Sequence, residues 1–198
     1  MTTSKIDREN AIAQVSEVLT GKIAARRERD SKLAAGAVKR SDKYLAFFAT
    51  ARFATAVVDY QINLDDLFSR CDKTLDRFVR VFDSLLSGSL ALKGETDQNR
   101  YTFNLARSLI GAVKEKEFLN KSDVLATATK REDAREFVTV SRRIMSDSTA
   151  ERQSGIATYV LETLGMVVRT KSESGLVQMT VNKQATAYKR FLKLISVT

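Results

Sequence analysis

The 198-residue chain contains no proline and only 8 glycines. Proline removes a backbone hydrogen-bond donor and glycine weakens a helix, so a chain with so little of both favours long helices. Hydrophobic residues make up 43% of the chain and charged residues 29%, which is typical of a globular protein with a buried core. The sequence therefore predicts a mainly α fold.

The chain has no histidine and a single cysteine, Cys71. A histidine-based catalytic triad, a histidine metal ligand and a zinc site built from several cysteines are therefore excluded. The sequence also lacks the glycine-rich phosphate loops and the G-x-S-x-G nucleophile motif. These features predict a protein that is not an enzyme and that uses no cofactor, metal or small-molecule substrate.

Two enzymatic alternatives stay open at this level. Carboxylate pairs at residues 65–66 and at Glu115 and Glu117 are compatible with an acidic metal site, although nothing in the sequence selects one. Tyr188, which precedes Lys189 and Arg190, is the candidate for a tyrosine nucleophile of the recombinase type. Its position on an apolar stripe favours packing in the core instead.

No segment of the sequence is predicted to span a membrane. The most apolar run, residues 44–58, is about 15 residues long and contains Arg52, whereas a membrane helix needs roughly 20 apolar residues. The first ten residues, MTTSKIDREN, lack the apolar stretch of a signal peptide. A single cysteine also fits a reducing compartment. We expect a cytoplasmic protein without a membrane partner.

The net charge of +9 is concentrated at the two ends of the chain. Residues 1–40 carry nine basic and five acidic side chains, and residues 139–198 carry nine and four, whereas residues 41–138 are balanced. Basic ends around a neutral middle predict surfaces that attract a polyanion such as nucleic acid. The alternative is a basic composition that serves solubility and has no partner.

The first half of the chain carries several helical stripes of apolar residues. They predict helices over residues 4–20, 44–60 and 64–87, the second of which is aromatic and reads as a buried core helix. The basic, alanine-rich run over 22–40 predicts either a solvated helix or an arm that becomes ordered on a partner. The polar stretch over 93–99 predicts a linker, and therefore a helical domain of residues 1–95 and a second domain of residues 96–198.

The second half combines helices with one hairpin. Helices are predicted over 100–116, over a short segment that Ser122 or Asp123 caps, and over 131–145. Ser148 and Glu151 match the capping box S-x-x-E at the start of a further helix that Gly165 ends. The apolar period then changes to two over 166–170 and 176–181, which predicts a β-hairpin, and a helix over 183–195 follows.

A helix, a short turn, a capped helix, a glycine and a hairpin follow one another between residues 131 and 181. This order resembles a winged helix-turn-helix domain, and the stretches 146–152 and 161–169 look like the recognition helix and first wing strand of bacterial regulators of that kind. The resemblance implies a helical N-terminal unit followed by a winged-helix domain with one β-hairpin. It also implies that the start of the recognition helix enters the major groove of DNA while the hairpin lies along the backbone or minor groove.

The residue types at these positions suit contacts with DNA. Arginine and glutamine make bidentate contacts with base edges, serine and threonine reach bases or phosphates, and cationic side chains neutralise phosphates. The predicted DNA-binding residues are Arg142, Arg143, Ser148, Thr149, Arg152, Gln153, Thr158, Arg169 and Lys171. The alternative is an ordinary solvated face. Gly155 and Glu151 depart from the expected pattern, since one weakens the helix and the other brings a negative charge near phosphates.

Three hypotheses follow from the sequence. The first is a sequence-directed double-stranded DNA-binding protein, a transcriptional or replication regulator, that forms a homodimer through the apolar helices at 44–60 and 74–87. The second is a helical structural or assembly protein of a phage, mobile element or nucleoid that binds nucleic acid non-specifically or binds a protein. The third is an antirepressor-like protein whose winged helix binds another protein.

Overall fold

The computed structural model describes residues 5–88, 97–115, 118–129 and 145–195. The chain divides into two compact units, Met1–Val79 and Arg80–Thr198. The predicted mainly α fold is confirmed, since helices dominate the described residues and one small antiparallel sheet accompanies them. The division between the units lies earlier in the chain than the predicted boundary at residues 95 and 96, and most of the predicted linker lies outside the described residues.

The first unit consists of helices joined by short connections. In chain order these are α1 (Lys5–Asp30), α2 (Ala35–Phe48), α3 (Ala51–Tyr60), α4 (Leu64–Ser69) and α5 (Asp72–Ser87), of which α5 continues into the second unit. The basic run over 22–40 is helical on both sides of a break at residues 31–34. The run is thus helical within the single chain, but it is not a fully solvated helix, since Arg26 is buried.

Two helices that the apolar pattern predicts as continuous are interrupted by polar caps. The Thr50 hydroxyl accepts a hydrogen bond from the Phe53 amide at 3.2 Å, which ends α2 and starts α3. Arg70 adopts an extended backbone with φ −78° and ψ 159°, which separates α4 from α5. The predictions of single helices over 44–60 and 64–87 are therefore wrong. Without proline, capping side chains and extended residues set the helix ends.

Aromatic side chains fill the core of the first unit. The Phe48 ring lies 4.8 Å from that of Phe53, 5.3 Å from that of Phe68 and 6.3 Å from that of Phe78, measured between ring centroids. The prediction that the aromatic residues of 44–60 form core is confirmed. The predicted homodimer was based on these same apolar side chains, but they are buried within a single chain. A homodimer through these helices would have to use their exposed residues.

The second unit surrounds a three-stranded sheet. After α5, its elements are α6 (Asp97–Glu115), β1 (Leu119–Asn120), α7 (Lys121–Ala126), α8 (Asp147–Thr163), β2 (Val167–Lys171), β3 (Val177–Val181) and α9 (Thr186–Ile195). The strands are antiparallel in the order β1-β3-β2. The predicted hairpin is confirmed as β2 and β3. Strand β1, which pairs Leu119 with Met179, was not predicted, because two residues are too few to show a period of two.

Helices α6 and α8 pack together and form the core of the second unit. Tyr101 of α6 is fully buried, and its hydroxyl donates to the Val124 carbonyl at 3.1 Å and accepts from the Thr127 hydroxyl at 2.9 Å. Burial raises the pKa of Tyr101 to about 12. Asn120, rather than the predicted Ser122 or Asp123, is the residue that caps α7, and Asp123 completes its capping box. These contacts hold α7 against α6.

Candidate nucleic-acid interface

Helix α8 begins earlier than the sequence predicts. Ser146 precedes its first turn, and the Ser146 hydroxyl donates to the Thr149 hydroxyl at 3.0 Å rather than capping a backbone amide. Ser148 and Glu151 therefore both lie inside the helix, and the predicted capping box is not formed. The Met145 amide donates to the Ala128 carbonyl at 2.8 Å, which attaches the start of α8 to the segment after α7.

One face of the N-terminal half of α8 is exposed. It consists of Asp147, Ser148, Glu151, Arg152 and Gly155, which recur at the helical spacing of three and four residues. Thr149 lies at the margin of this face and is half-buried. The exposed α8 face thus contains two of the predicted DNA-contacting residues, Ser148 and Arg152. It also contains Glu151 and Gly155, the two residues that depart from the pattern expected of a recognition helix.

The other two residues predicted to contact bases are buried. Gln153 is 5% exposed and Thr158 is 4% exposed, so the expectation that both face outward is wrong. A helix that packs through its large residues Ile156, Val160 and Leu164 alone would turn Gln153 and Thr158 outward. The buried stripe of α8 also includes Ala150 and Ala157, which are fully buried. Alanines seven residues apart are the signal that would have corrected the orientation.

The β2–β3 hairpin follows α8 and extends from the core. Residues 168–171 of β2 are all exposed, because β2 is an edge strand that pairs only with β3. The turn is closed by the Ser172 amide, which donates to the Leu176 carbonyl at 2.9 Å, and by Gly175 with φ +78°. Glycine adopts this left-handed conformation without strain. The hairpin therefore presents Arg169 and Lys171 to solvent, as predicted.

Two ion pairs set the charge of this surface. Lys121 Nζ lies 2.7 Å from Glu151 Oε1, so a cation from α7 compensates the acidic residue of the exposed α8 face. The Arg169 guanidinium binds Glu162 of α8 through two hydrogen bonds of 2.7 and 2.9 Å. Within the described residues, Lys171 forms no ion pair. Sequence reasoning missed Lys121 and Glu162, because partners on different elements leave no local signal.

Two of the predicted DNA-binding residues lie outside the described part of the chain. Residues 130–144, which include Arg142 and Arg143 and most of the helix predicted at 131–145, lie outside the described residues.

In the described part of the chain, no group of three or more histidine, cysteine, aspartate or glutamate side chains is arranged to hold a metal ion. No helix among these same residues has both the length and the apolar character needed to cross a membrane.

The exposed residues of α8 and the hairpin offer hydrogen-bond donors and cations. Arg152 has a guanidinium with five donors, Ser148 has a hydroxyl, and Lys171 has an ammonium group at the hairpin. This combination suits a ligand that carries phosphates and hydrogen-bonding edges.

Comparisons of the chain with protein-family models, with curated proteins and with solved structures gave no significant match.

Proposed function

We propose that the chain is a sequence-directed double-stranded DNA-binding protein, a transcriptional or replication regulator. The exposed α8 face enters the major groove, and the β2–β3 hairpin lies along the phosphate backbone. The observation that carries this proposal is the juxtaposition of a helix whose first half has one exposed face with an exposed hairpin directly after it. A helix of this kind fits the major groove, which is about 12 Å wide.

The order of the elements supports the proposal. Among the described residues, helix α6, strand β1, helices α7 and α8 and the β2–β3 hairpin occur in this order, with residues 130–144 between α7 and α8 outside the described part, and β1 joins the open edge of β3. A winged helix-turn-helix domain combines helices and a small antiparallel sheet in this order. Strand β1, which the sequence did not predict, is a further element that fits the order of a winged helix-turn-helix domain.

The chemistry of the exposed α8 face fits DNA recognition. Arg152 can donate two hydrogen bonds to the O6 and N7 atoms of a guanine. Ser148, at the start of the helix, can donate to a phosphate oxygen, and Lys171 can neutralise a second phosphate. A Cβ atom built on Gly155 would meet no atom within 4 Å. The glycine therefore leaves space on this face for the edge of a base pair.

Two of the acidic residues near this face are paired with cations. Glu151 is compensated by Lys121, and Glu162 is compensated by Arg169. Both pairs are at least partly exposed, so each is worth little to stability. Arg152 and Lys171 then act on a phosphate backbone beside two further exposed carboxylates, Asp147 in the first turn of α8 and Glu173 in the hairpin turn.

A salt series with a selected duplex and a shuffled duplex tests the proposal. The full chain is first used to select a duplex from random sequence, and its affinity for the selected and the shuffled duplex is then measured at several salt concentrations. We expect the selected duplex to bind at least about 10³-fold more tightly. The change Arg152→Ala should weaken binding to the selected duplex by about 1–3 kcal/mol and change binding to the shuffled duplex much less.

Arg107→Ala is the matched control for Arg152→Ala. Arg107 is an exposed arginine on α6, the helix that covers the buried face of α8, so its removal should leave the ratio of the two affinities unchanged. Equal affinity for both duplexes would reject sequence-directed binding and favour the structural or assembly hypothesis.

A protein-binding winged helix is the second candidate. Three apolar side chains of the hairpin, Val168, Leu176 and Val177, are exposed, and Leu176 is 67% exposed. Val168 lies on the edge strand β2, and exposed apolar residues there and at the hairpin turn suit a protein partner rather than a phosphate backbone. This candidate predicts no affinity for any duplex even at low salt. The change Leu176→Ser would then abolish partner binding while leaving the fold intact.

A further inference from the structure

A cleft of about 560 Å³ opens on the surface of the first unit, where α1 and α2 meet the connection between α4 and α5. Basic side chains dominate its wall. The lining comprises Arg26, Arg29, Asp30, Leu33, Arg40, Ser69, Arg70, Cys71, Asp72 and Lys73. The cations outnumber the carboxylates by three, and the cleft lies wholly within the first unit.

The inner wall of the cleft is charge-compensated. Arg26 is 4% exposed and binds Asp30 through Nε at 2.9 Å and Asp72 through Nη2. Its Nη1 donates to the carbonyl oxygens of Phe68 and Arg70 at 3.1 and 2.7 Å. Both carboxylates are therefore occupied by the buried arginine. Asp30 Oδ1 also lies 3.4 Å from Arg29 Nε at the opening, whereas Arg40 and Lys73 form no ion pair within the described residues.

The opening of the cleft carries the excess positive charge. Arg29, Arg40 and Lys73 are exposed, and the side chain of Arg29 is 56% exposed. Arg70 pairs with Asp66, which does not line the cleft. Like charges that gather around one concave surface repel one another until an anion enters. The N-terminus of α5 lies at the same place, because Asp72 is its first residue, and its helix dipole adds to the positive potential.

We propose that this cleft binds a small oligophosphate anion, such as pyrophosphate or the phosphate chain of a nucleotide, between Arg29, Arg40 and Lys73. The volume lies within the range of about 300–1,000 Å³ that is usual for small-molecule sites. Leu33 is the one large apolar side chain in the lining, so the cleft recognises phosphate groups rather than a base. The proposal is independent of the DNA interface, which lies in the second unit.

Cys71 provides a built-in reporter of occupancy. It is the sole cysteine of the chain, it is exposed, and it lines the cleft. The hydroxyl of Thr74, 3.4 Å from the Cys71 sulfur, lowers the pKa of the thiol, which favours the reactive thiolate. An anion in the cleft should shield this sulfur from a neutral alkylating reagent.

The test measures the rate of alkylation of Cys71 by iodoacetamide in the full chain, with and without pyrophosphate at constant ionic strength. If the bound anion shields the sulfur, a pyrophosphate concentration ten times its Kd slows the reaction about tenfold. The double change Arg40→Gln and Lys73→Gln should abolish this protection. The control Arg27→Gln removes an exposed arginine of α1 that does not line the cleft, and it should retain protection.

Two further additives separate the possible sources of phosphate. Protection by adenosine triphosphate at the same phosphate concentration supports the proposal and identifies the phosphate chain of a nucleotide as a ligand. Protection by a 16-nucleotide strand but not by pyrophosphate overturns it, because a small anion is then not the ligand. Equal protection by sodium sulfate also overturns it, since the cleft would then not select an oligophosphate over another divalent anion.

Discussion

Arg169 of β2 and Glu162 of α8 are joined by two hydrogen bonds, with nitrogen–oxygen distances of 2.7 and 2.9 Å. The pair links the base of the hairpin to the last turns of the helix that precedes it. It therefore orients the hairpin relative to α8. It also engages one of the two cations that the hairpin presents, so that Arg169 is less available to a phosphate than its sequence position indicates.

The change Glu162→Gln should strengthen DNA binding if the proposed function is correct. The loss of the carboxylate leaves Arg169 to neutralise a phosphate, which releases one more counterion. The slope of log affinity against log salt concentration should then become steeper by about 0.9. Glu173→Gln, which removes an exposed carboxylate in the hairpin turn, is the control. An equal change in slope for both variants would show a general charge effect instead.

The change Gln153→Ala should destabilise the fold rather than alter DNA contacts. Gln153 is buried in α8, and loss of a buried amide leaves its partners unsatisfied at a cost of about 1–3 kcal/mol. Urea unfolding measures this loss. The neighbouring exposed variant Arg152→Ala should change stability by less than about 0.5 kcal/mol. A Gln153→Ala protein of normal stability and reduced DNA affinity would contradict the placement of this residue.

Gly155→Ala should stabilise the protein. Gly155 lies in a helix, is exposed, and has no neighbour within 4 Å of an added Cβ atom. Alanine is favoured over glycine in such a position by about 0.5–1 kcal/mol, which a shift in the denaturant midpoint would report. Gly165→Ala is the contrasting variant, because Gly165 has φ +66° and an L-residue is strained there. Stabilisation by both changes would show that backbone conformation does not control these positions.

Acid should unfold the first unit in part through Asp30. Burial by itself raises the pKa of Asp30, but hydrogen bonds from Ser41, Arg26 and Tyr44 outweigh it and hold the pKa below 3.8. A carboxylate whose pKa is lower in the folded state contributes stability that is complete above about pH 5 and is lost as the pH falls through the folded pKa. Urea unfolding between pH 7 and pH 3 should therefore show lower stability and a shallower acid dependence for Asp30→Asn.

Asp59→Asn is the control for Asp30→Asn. Asp59 binds Arg8 at 2.8 Å, but both side chains are well exposed, so water screens their interaction. This variant should retain the acid dependence of the unchanged chain. An identical acid profile for Asp30→Asn and the unchanged chain would show that Asp30 is not a main source of acid sensitivity.

Local signals predicted much of the second unit. Gly165 ends α8 with a positive φ, and the alternation on either side of Gly175 forms the hairpin. Both depend on backbone conformation and on side chains a few residues apart, which the sequence shows directly. The capping box at Ser148 and Glu151 is the exception. The motif matches, but the helix had already begun at Asp147, so the pattern had no helix end to cap.

The amino-acid sequence by itself determined the mainly helical character, the hairpin and the basic ends, because propensity, period and charge are properties of neighbouring residues. Tertiary structure alone decided that Gln153 is buried, that β1 completes the sheet, and that Arg26 of α1 binds Asp72 of α5. Each of these contacts joins elements that are distant in sequence. It forms only when the chain has packed and water has been excluded from the residues on both sides. The orientation of α8, and with it the composition of its exposed face, belongs to this second group.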